Sequence, residues 1–101
     1  MKIIITTTAE KEAETLLRQL LEERVVACGN ILTSIQSFYW WKGEVQQDPE
    51  KLIIMETTDQ MQEEAMQRIA ELHSYDVPKI VALDAASVNE AYVQWLRGEV
   101  K

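Results

Sequence analysis

Residues 38–43 read Phe38-Tyr39-Trp40-Trp41-Lys42-Gly43, and four of the chain's seven aromatic residues stand in that run. Neighbouring side chains of an extended strand point to opposite faces of the sheet. Trp40 and Trp41 therefore cannot both enter the same core. A domain of 101 residues offers about one core. The run asks for a second buried face, and another copy of the chain is its simplest source. Which of the two tryptophans faces that copy is left open by the sequence.

Upstream of this run, from Val25, the period changes to two, and an extended segment passes through Cys28, Ile31, Ile35 and Phe38 to Trp41. It is far longer than a usual strand of about 5–6 residues. Gly29-Asn30 predicts a bulge or bend within it. Downstream, Lys42-Gly43 begins a polar turn region that continues to Asp48-Pro49, and Leu52-Ile53-Ile54-Met55 returns as a buried strand. The centre of the chain reads as a long β-hairpin.

The flanks supply the remaining elements. Ile3-Ile4-Ile5 is β-branched and unbroken, which favours a strand buried on both faces. Thr7 with Glu10 has the form of a capping box. The helix after it places Ala13, Leu16, Leu17, Leu20 and Leu21 on one stripe. After the hairpin, Asp59 with Gln62 offers a second capping box, and Met61, Ala65, Ile69 and Leu72 form the stripe of a second helix. Asp76-Val77-Pro78 ends it, because a residue before proline avoids the helical region. Ile80-Val81-Ala82-Leu83 is a fourth strand. Ser87 with Glu90 then precedes a last helix carrying Val88, Ala91, Tyr92, Trp95 and Leu96, with Gly98 at the expected C-cap. The order is βαββαβ plus a terminal helix. This predicts one α+β domain over 1–101, a ferredoxin-like sandwich with helices on one face of an antiparallel sheet. The other face again asks for a partner chain.

Composition excludes some functions. Ten basic against seventeen acidic residues give a net charge of −7. Nucleic acid and anionic membranes both reward clustered Lys and Arg, so neither is expected as a partner. The single cysteine, Cys28, permits no intrachain disulfide and no cysteine-based zinc site closed within one chain. Beside Val26 and Ala27, with no basic neighbour, it reads as a small core residue and a slow-reacting thiol. Met1–Ile5 is too short an apolar run for a signal peptide, and no run approaches a membrane span, which makes the cytoplasm the default compartment.

The search for chemistry finds no glycine-rich phosphate loop and no nucleophile elbow, so no enzyme is expected. The one histidine, His73, stands at the end of the second helix, either complementing the helix dipole or ligating a metal. Glu44, Asp48 and Glu50 lie on the hairpin loop, as a solvated turn or a loose cation site. Glu56 is a carboxylate inside the third strand. It is expected to face solvent or to meet Lys42 or another base at an interface. Tyr39, Tyr75 and Tyr92 are amphipathic residues of the kind that occupy interfaces.

Four blocks stand in order along nearly the whole chain: Leu20 to Asn30, Phe38 to Glu44, His73-Ser74-Tyr75-Asp76-Val77-Pro78-Lys79-Ile80, and Asn89 to Leu96. Together they resemble the CutA family, the divalent-cation-tolerance proteins. The aromatic run followed by Lys-Gly and the His-x-Tyr-x-x-Pro turn carry the resemblance jointly. It implies a cytoplasmic homotrimer of ferredoxin-like subunits whose hairpins pair across subunits, related in architecture to PII signalling proteins and linked to copper and other divalent cations. No cofactor is implied as a requirement, and copper(II) is expected to bind weakly at His73 with help from carboxylates.

The chain departs from the family in places. Ile5 stands where some bacterial members have cysteine, and Leu72-His73 where some have a histidine pair. Gly29 stands where a larger residue is usual. Cys28 belongs to an Ala-Cys-x-Asn block that looks structural. Glu56 replaces a common lysine, which reverses a charge near the inter-subunit cleft. Two functions are implied: a metal-responsive trimer, or a PII-like trimer whose clefts take a small molecule or a partner protein. Tyr39, Trp40, Trp41, Lys42, Glu56 and Tyr75 are the ligand or interface residues in either case.

Overall fold

The computed structural model describes residues 1–101. Its elements in chain order are β1 (Lys2–Thr8), α1 (Ala13–Glu22), β2 (Cys28–Trp41), β3 (Glu44–Thr57), α2 (Gln62–Leu72), β4 (Ile80–Asp84) and α3 (Glu90–Glu99). The strands form one sheet in the order β2-β3-β1-β4, every pair antiparallel. This is the ferredoxin-like α+β arrangement with an added C-terminal helix.

The alternation within β1 sets the layers. Ile4, Thr6 and Thr8 are buried, while Ile3, Ile5 and Thr7 are only half-buried. Ile4 stands opposite Met55 and Thr6 opposite Ile53 in β3. That side of the sheet meets Leu16, Leu17 and Leu20 of α1 and Ala65 and Ile69 of α2 in one core. Each fully buried Leu or Ile there contributes about 1.5–3 kcal/mol by leaving water. Gly29 faces this core: a Cβ on it would come within 2.6 Å of Leu17 Cδ1 and 3.2 Å of Met55 Cγ. Leu17 fills the space that a larger residue at 29 would occupy. The C-terminus is tied down as well. Leu96 of α3 is buried, and the Lys101 N–H donates to the Arg24 carbonyl at 3.0 Å.

Several local signals resolve differently from expectation. None of the three capping boxes forms. Thr7 lies within β1, and α1 begins at Ala13 with no side-chain cap. Thr58, rather than Asp59, accepts from the N–H of Met61 at 3.2 Å ahead of α2, because Asp59 is taken by the Met1 ammonium at 3.0 Å. Asn89, rather than Ser87, caps α3 by accepting from the Ala91 N–H at 3.0 Å. Gly98 lies inside α3, which ends at Glu99 with Val100 as its C-cap. Leu72, expected in the core stripe, is exposed.

The central hairpin forms as expected, with its turn and bulge at other positions. Trp41 pairs directly with Glu44, so the turn is Lys42-Gly43 alone. Both turn residues have positive φ, 51° and 82°, the pattern of a type I′ turn whose twist matches paired strands. The bulge is at Thr33-Ser34, where Ser34 has φ 61°, and not at Gly29-Asn30. β1 pairs with β3 only as far as Thr8 opposite Lys51. Beyond that point Ile35–Trp41 and Glu44–Glu50 pair only with each other and form an arm. The arm stretches the molecule to 45 × 25 × 22 Å and raises the radius of gyration to 14.2 Å, above the value of about 13 Å for a compact chain of this length.

Candidate functional site

The arm carries the aromatic run. Register places Phe38 opposite Gln47 and Trp40 opposite Val45, so Phe38, Trp40 and Val45 share one face. They are 65 %, 74 % and 58 % exposed, an apolar strip on two-stranded β-structure that no other element covers. Tyr39 and Trp41 lie on the opposite face and are also exposed. The expectation that the two tryptophans point apart holds, and within one chain neither is buried.

A polar cluster sits at the root of the arm. His73 ends α2, and its backbone turns extended there, with φ −71° and ψ 142°. That turn carries the ring to β1, where Nε2 donates to the Thr7 carbonyl at 2.8 Å. Nδ1 accepts from the Tyr75 N–H at 3.2 Å, which fixes the ring proton on Nε2. Tyr75 packs its ring against the imidazole at 4.7 Å between centroids and donates its hydroxyl to Glu50 Oε2 at 2.6 Å. Glu50 is 6 % exposed. Burial, followed by the Glu50 hydrogen bond, pushes the Tyr75 phenol well up. Tyr39 donates to Asp48, and that bond raises its own phenol. Tyr39, Asp48, Pro49 and Tyr75 line an open cleft together with Ala9, Glu10 and Lys11.

The expected acidic loop is therefore not a loop and not a cluster. Glu44 ends the arm, Asp48 lies within β3, and Glu50 is a buried partner of Tyr75. Their spacing along a strand of about 3.3 Å per residue keeps Glu44 roughly 13 Å from Asp48. His73 is no freer to ligate. Both ring nitrogens are engaged within the chain, and copper must displace the Thr7 carbonyl or the Tyr75 amide to reach one. No three His, Cys, Asp or Glu side chains converge in one chain. The residues expected to hold copper do not fit a preformed copper site.

Glu56 meets neither Lys42 nor solvent alone. Lys42 is at the tip of the arm, whereas Glu56 stands opposite Cys28 at the other end of the hairpin. Glu56 Oε1 accepts from the Cys28 thiol at 2.8 Å and from the Tyr92 hydroxyl at 3.0 Å. Cys28 is half-buried and lies on the sheet face away from α1, since its neighbour Gly29 faces Leu17. It is not a core residue. Burial, then the carboxylate beside it, raises the thiol to about 11. Sequence reading treated these three residues separately. Their one joint signal was a carboxylate and a thiol in strands destined to pair.

The chain matches the model of the CutA1 divalent ion tolerance protein family over residues 1–99. It is 44 % identical over 102 residues to the divalent-cation tolerance protein CutA of Pyrococcus horikoshii, covering all of this chain and 99 % of that one. The Thermus thermophilus protein of the same name is 42 % identical over 95 residues, with 94 % and 92 % covered. Among solved structures, CutA1 of P. horikoshii superposes with a TM-score of 0.95 at 42 % identity, covering 100 % of this chain and 99 % of that one. The PII-like protein CutA from Nostoc sp. PCC 7120 gives 0.95 at 35 % identity, covering 100 % and 98 %. Together with the βαββαβ sheet and the aromatic hairpin, these likenesses establish that the chain belongs to the CutA1 divalent-ion-tolerance family.

Proposed function

We propose that the chain works as a non-enzymatic homotrimer of the cation-tolerance type, in which the arm of each subunit locks onto its neighbours and the clefts at the arm roots are the working surface. One observation carries this reading: the Phe38, Trp40 and Val45 strip is more than half exposed on a two-stranded arm. Such a hairpin is marginal in water without further packing, and an exposed apolar face of this kind marks an interaction surface. Three interlocked copies cover that strip and give both faces of the arm a partner. The protein needs no resident cofactor, uses neither nucleic acid nor membrane as a partner, and acts in the cytoplasm. No helix is long and apolar enough to cross a membrane.

A second reading has its own support. With both His73 nitrogens committed and a polar cleft lined by Tyr39, Asp48 and Tyr75, the trimer is also suited to a PII-like role, taking a small molecule or a partner protein at that cleft. On this geometry copper(II) binds at His73 only weakly, by taking a nitrogen from its present partner.

Sedimentation equilibrium at micromolar concentration tests the assembly: a trimer is expected, and a compact folded monomer overturns the proposal. Calorimetry with copper(II) and with a nucleotide panel separates the two roles. Weak copper binding that His73→Ala abolishes supports the metal role, and saturable nucleotide binding without metal supports the PII-like one.

A further inference from the structure

A relay of contacts ties the end of α2 to the root of the arm. It starts at His73, whose Nε2 donates to the Thr7 carbonyl at 2.8 Å, one residue past the last residue of β1 that pairs with β4. Nδ1 of the same ring accepts from the Tyr75 N–H at 3.2 Å, and the two rings pack at 4.7 Å between centroids. Tyr75 then donates its hydroxyl to Glu50 Oε2 at 2.6 Å. Glu50 is the first residue of β3 beyond the pairing with β1, which ends at Lys51. Of the side-chain hydrogen bonds made by residues 35–41 and 44–50, Tyr39 to Asp48 and Gln47 to Gln36 stay within the arm, and Tyr75 to Glu50 alone reaches the body. No ion pair of the chain uses these residues. Glu50 is 6 % exposed, so this bond is shielded by its own chain and is not part of the arm surface left for a partner. The cleft divides the same way: Tyr39 and Asp48 stand on its arm wall, and Lys11 and Tyr75 on its body wall.

We propose that His73 is a positioning residue: by holding Tyr75 it fixes the Tyr75–Glu50 bond that anchors the arm to the body, and so sets the opening of the cleft between them. The chemistry of the imidazole suits that work. One neutral ring offers a donor on one edge and an acceptor on the other. Here the donor grips β1, and the acceptor orients the residue two positions on. Without the imidazole the phenol is free to turn away, and Glu50 is then buried without its donor, which favours an opened root. The bulge at Thr33-Ser34 lies beside this bond, Ile35 being paired with Glu50, so the strand pair is irregular where the anchor acts. Copper(II) at either ring nitrogen would break one grip, so metal binding and anchoring at His73 oppose each other. The consequence for the cleft rests on the reading of that cleft as the working surface; the anchor itself requires neither that reading nor the trimer.

Nuclear magnetic resonance and hydrogen exchange on the whole protein test the anchor. The chain has three tyrosines, so protein isotope-labelled at tyrosine Cζ gives three resonances, and that of Tyr75 reports the bond of its hydroxyl. His73→Asn keeps an oxygen acceptor in place of Nδ1, and His73→Gln keeps a nitrogen donor in place of Nε2. His73→Gln should move the Tyr75 resonance and speed amide exchange at the arm root, residues 35–37, 48 and 50, at least about fivefold, the low end for a buried acceptor without its donor. His73→Asn should leave both nearer their native values. Tyr75→Phe should speed root exchange as much as His73→Gln does, and combining the two should add nothing. Native resonances of Tyr39 and Tyr92 identify a folded variant. An unmoved Tyr75 resonance in His73→Gln, equal effects of the two His73 variants, or a further gain in the double variant overturns the proposal. So does native root exchange in Tyr75→Phe, which leaves His73 untouched. A monomer in sedimentation, or a cleft that takes no ligand, would end the proposed function and leave the anchor standing, and native root exchange in a trimeric Tyr75→Phe would do the reverse.

Discussion

β3 belongs to both halves of this molecule, and its two ends live in different surroundings. At the body end, Ile53, Met55 and Thr57 are fully buried beneath the helices. At the arm end, Val45 is mostly in water, across from Trp40. The body closes its core from its own sequence. The arm spends its most hydrophobic residues on a surface that its own chain cannot cover. The body is therefore stabilised within the subunit, whereas the arm is not; in the proposed trimer its stabilisation comes from neighbouring subunits.

The largest test of that division is on the arm. Trp40→Glu places a charge in the middle of the strip and should dissociate or unfold the assembly, a loss well over about 2 kcal/mol for a buried aromatic. Sedimentation and denaturant melts read it, and a variant that stays a trimer of unchanged stability would mean that this face has no partner. A smaller effect is expected at the root. Tyr75→Phe removes the hydroxyl that satisfies Glu50 and should lower stability by about 1–3 kcal/mol, as for any buried acceptor stripped of its donor. Urea unfolding at constant oligomeric state measures it.

The smallest effect lies in the body. Arg68, on α2, donates to both carboxylate oxygens of Glu23 at 2.7 Å, just beyond the end of α1. That pairing, helped by Gln19, lowers the Glu23 carboxyl from 4.5 to about 2. A depressed carboxyl stabilises the fold above its unfolded value, and that contribution is lost as pH falls through the folded one. The native protein should thus lose this contribution between pH 4.5 and about 2. Arg68→Met should be less stable near neutrality and show a shallower acid slope in that window. The pair is on the surface, so the difference is small. Equal slopes would mean that the pair adds nothing.

Most of the fold was legible because it rests on periodicity. The stripe Ala13, Leu16, Leu17, Leu20 is buried as its spacing demands, and the order of elements followed from changes of period. The caps of α2 and α3 were not legible, because several Ser, Thr, Asp and Asn residues precede each of these helices and local partners choose among them; α1 has no side-chain cap. Asp59 was lost to the chain's own N-terminus. The Cys28 and Glu56 pair was hidden by the bulge. A two-residue turn at Lys42-Gly43 alone would set Cys28 opposite Thr57. The extra residue at Thr33-Ser34 shifts the register and brings Glu56 there instead. Glu50 escaped because its burial depends on Tyr75, which lies 25 positions away in sequence.

The Lys42-Gly43 turn also has a consequence in time. Pairing across it joins near neighbours in sequence, and such hairpins close in about 1–10 μs. The β1–β4 edge must instead bring Lys2 to Asp84, 82 positions away, and long loops close late. Pulsed hydrogen exchange during refolding should find the arm amides protected before those of β4, and simultaneous protection would refute this order. A subunit built in that order displays its uncovered aromatic strip before its own interior is sealed, so that in the proposed trimer recognition begins during folding rather than after it.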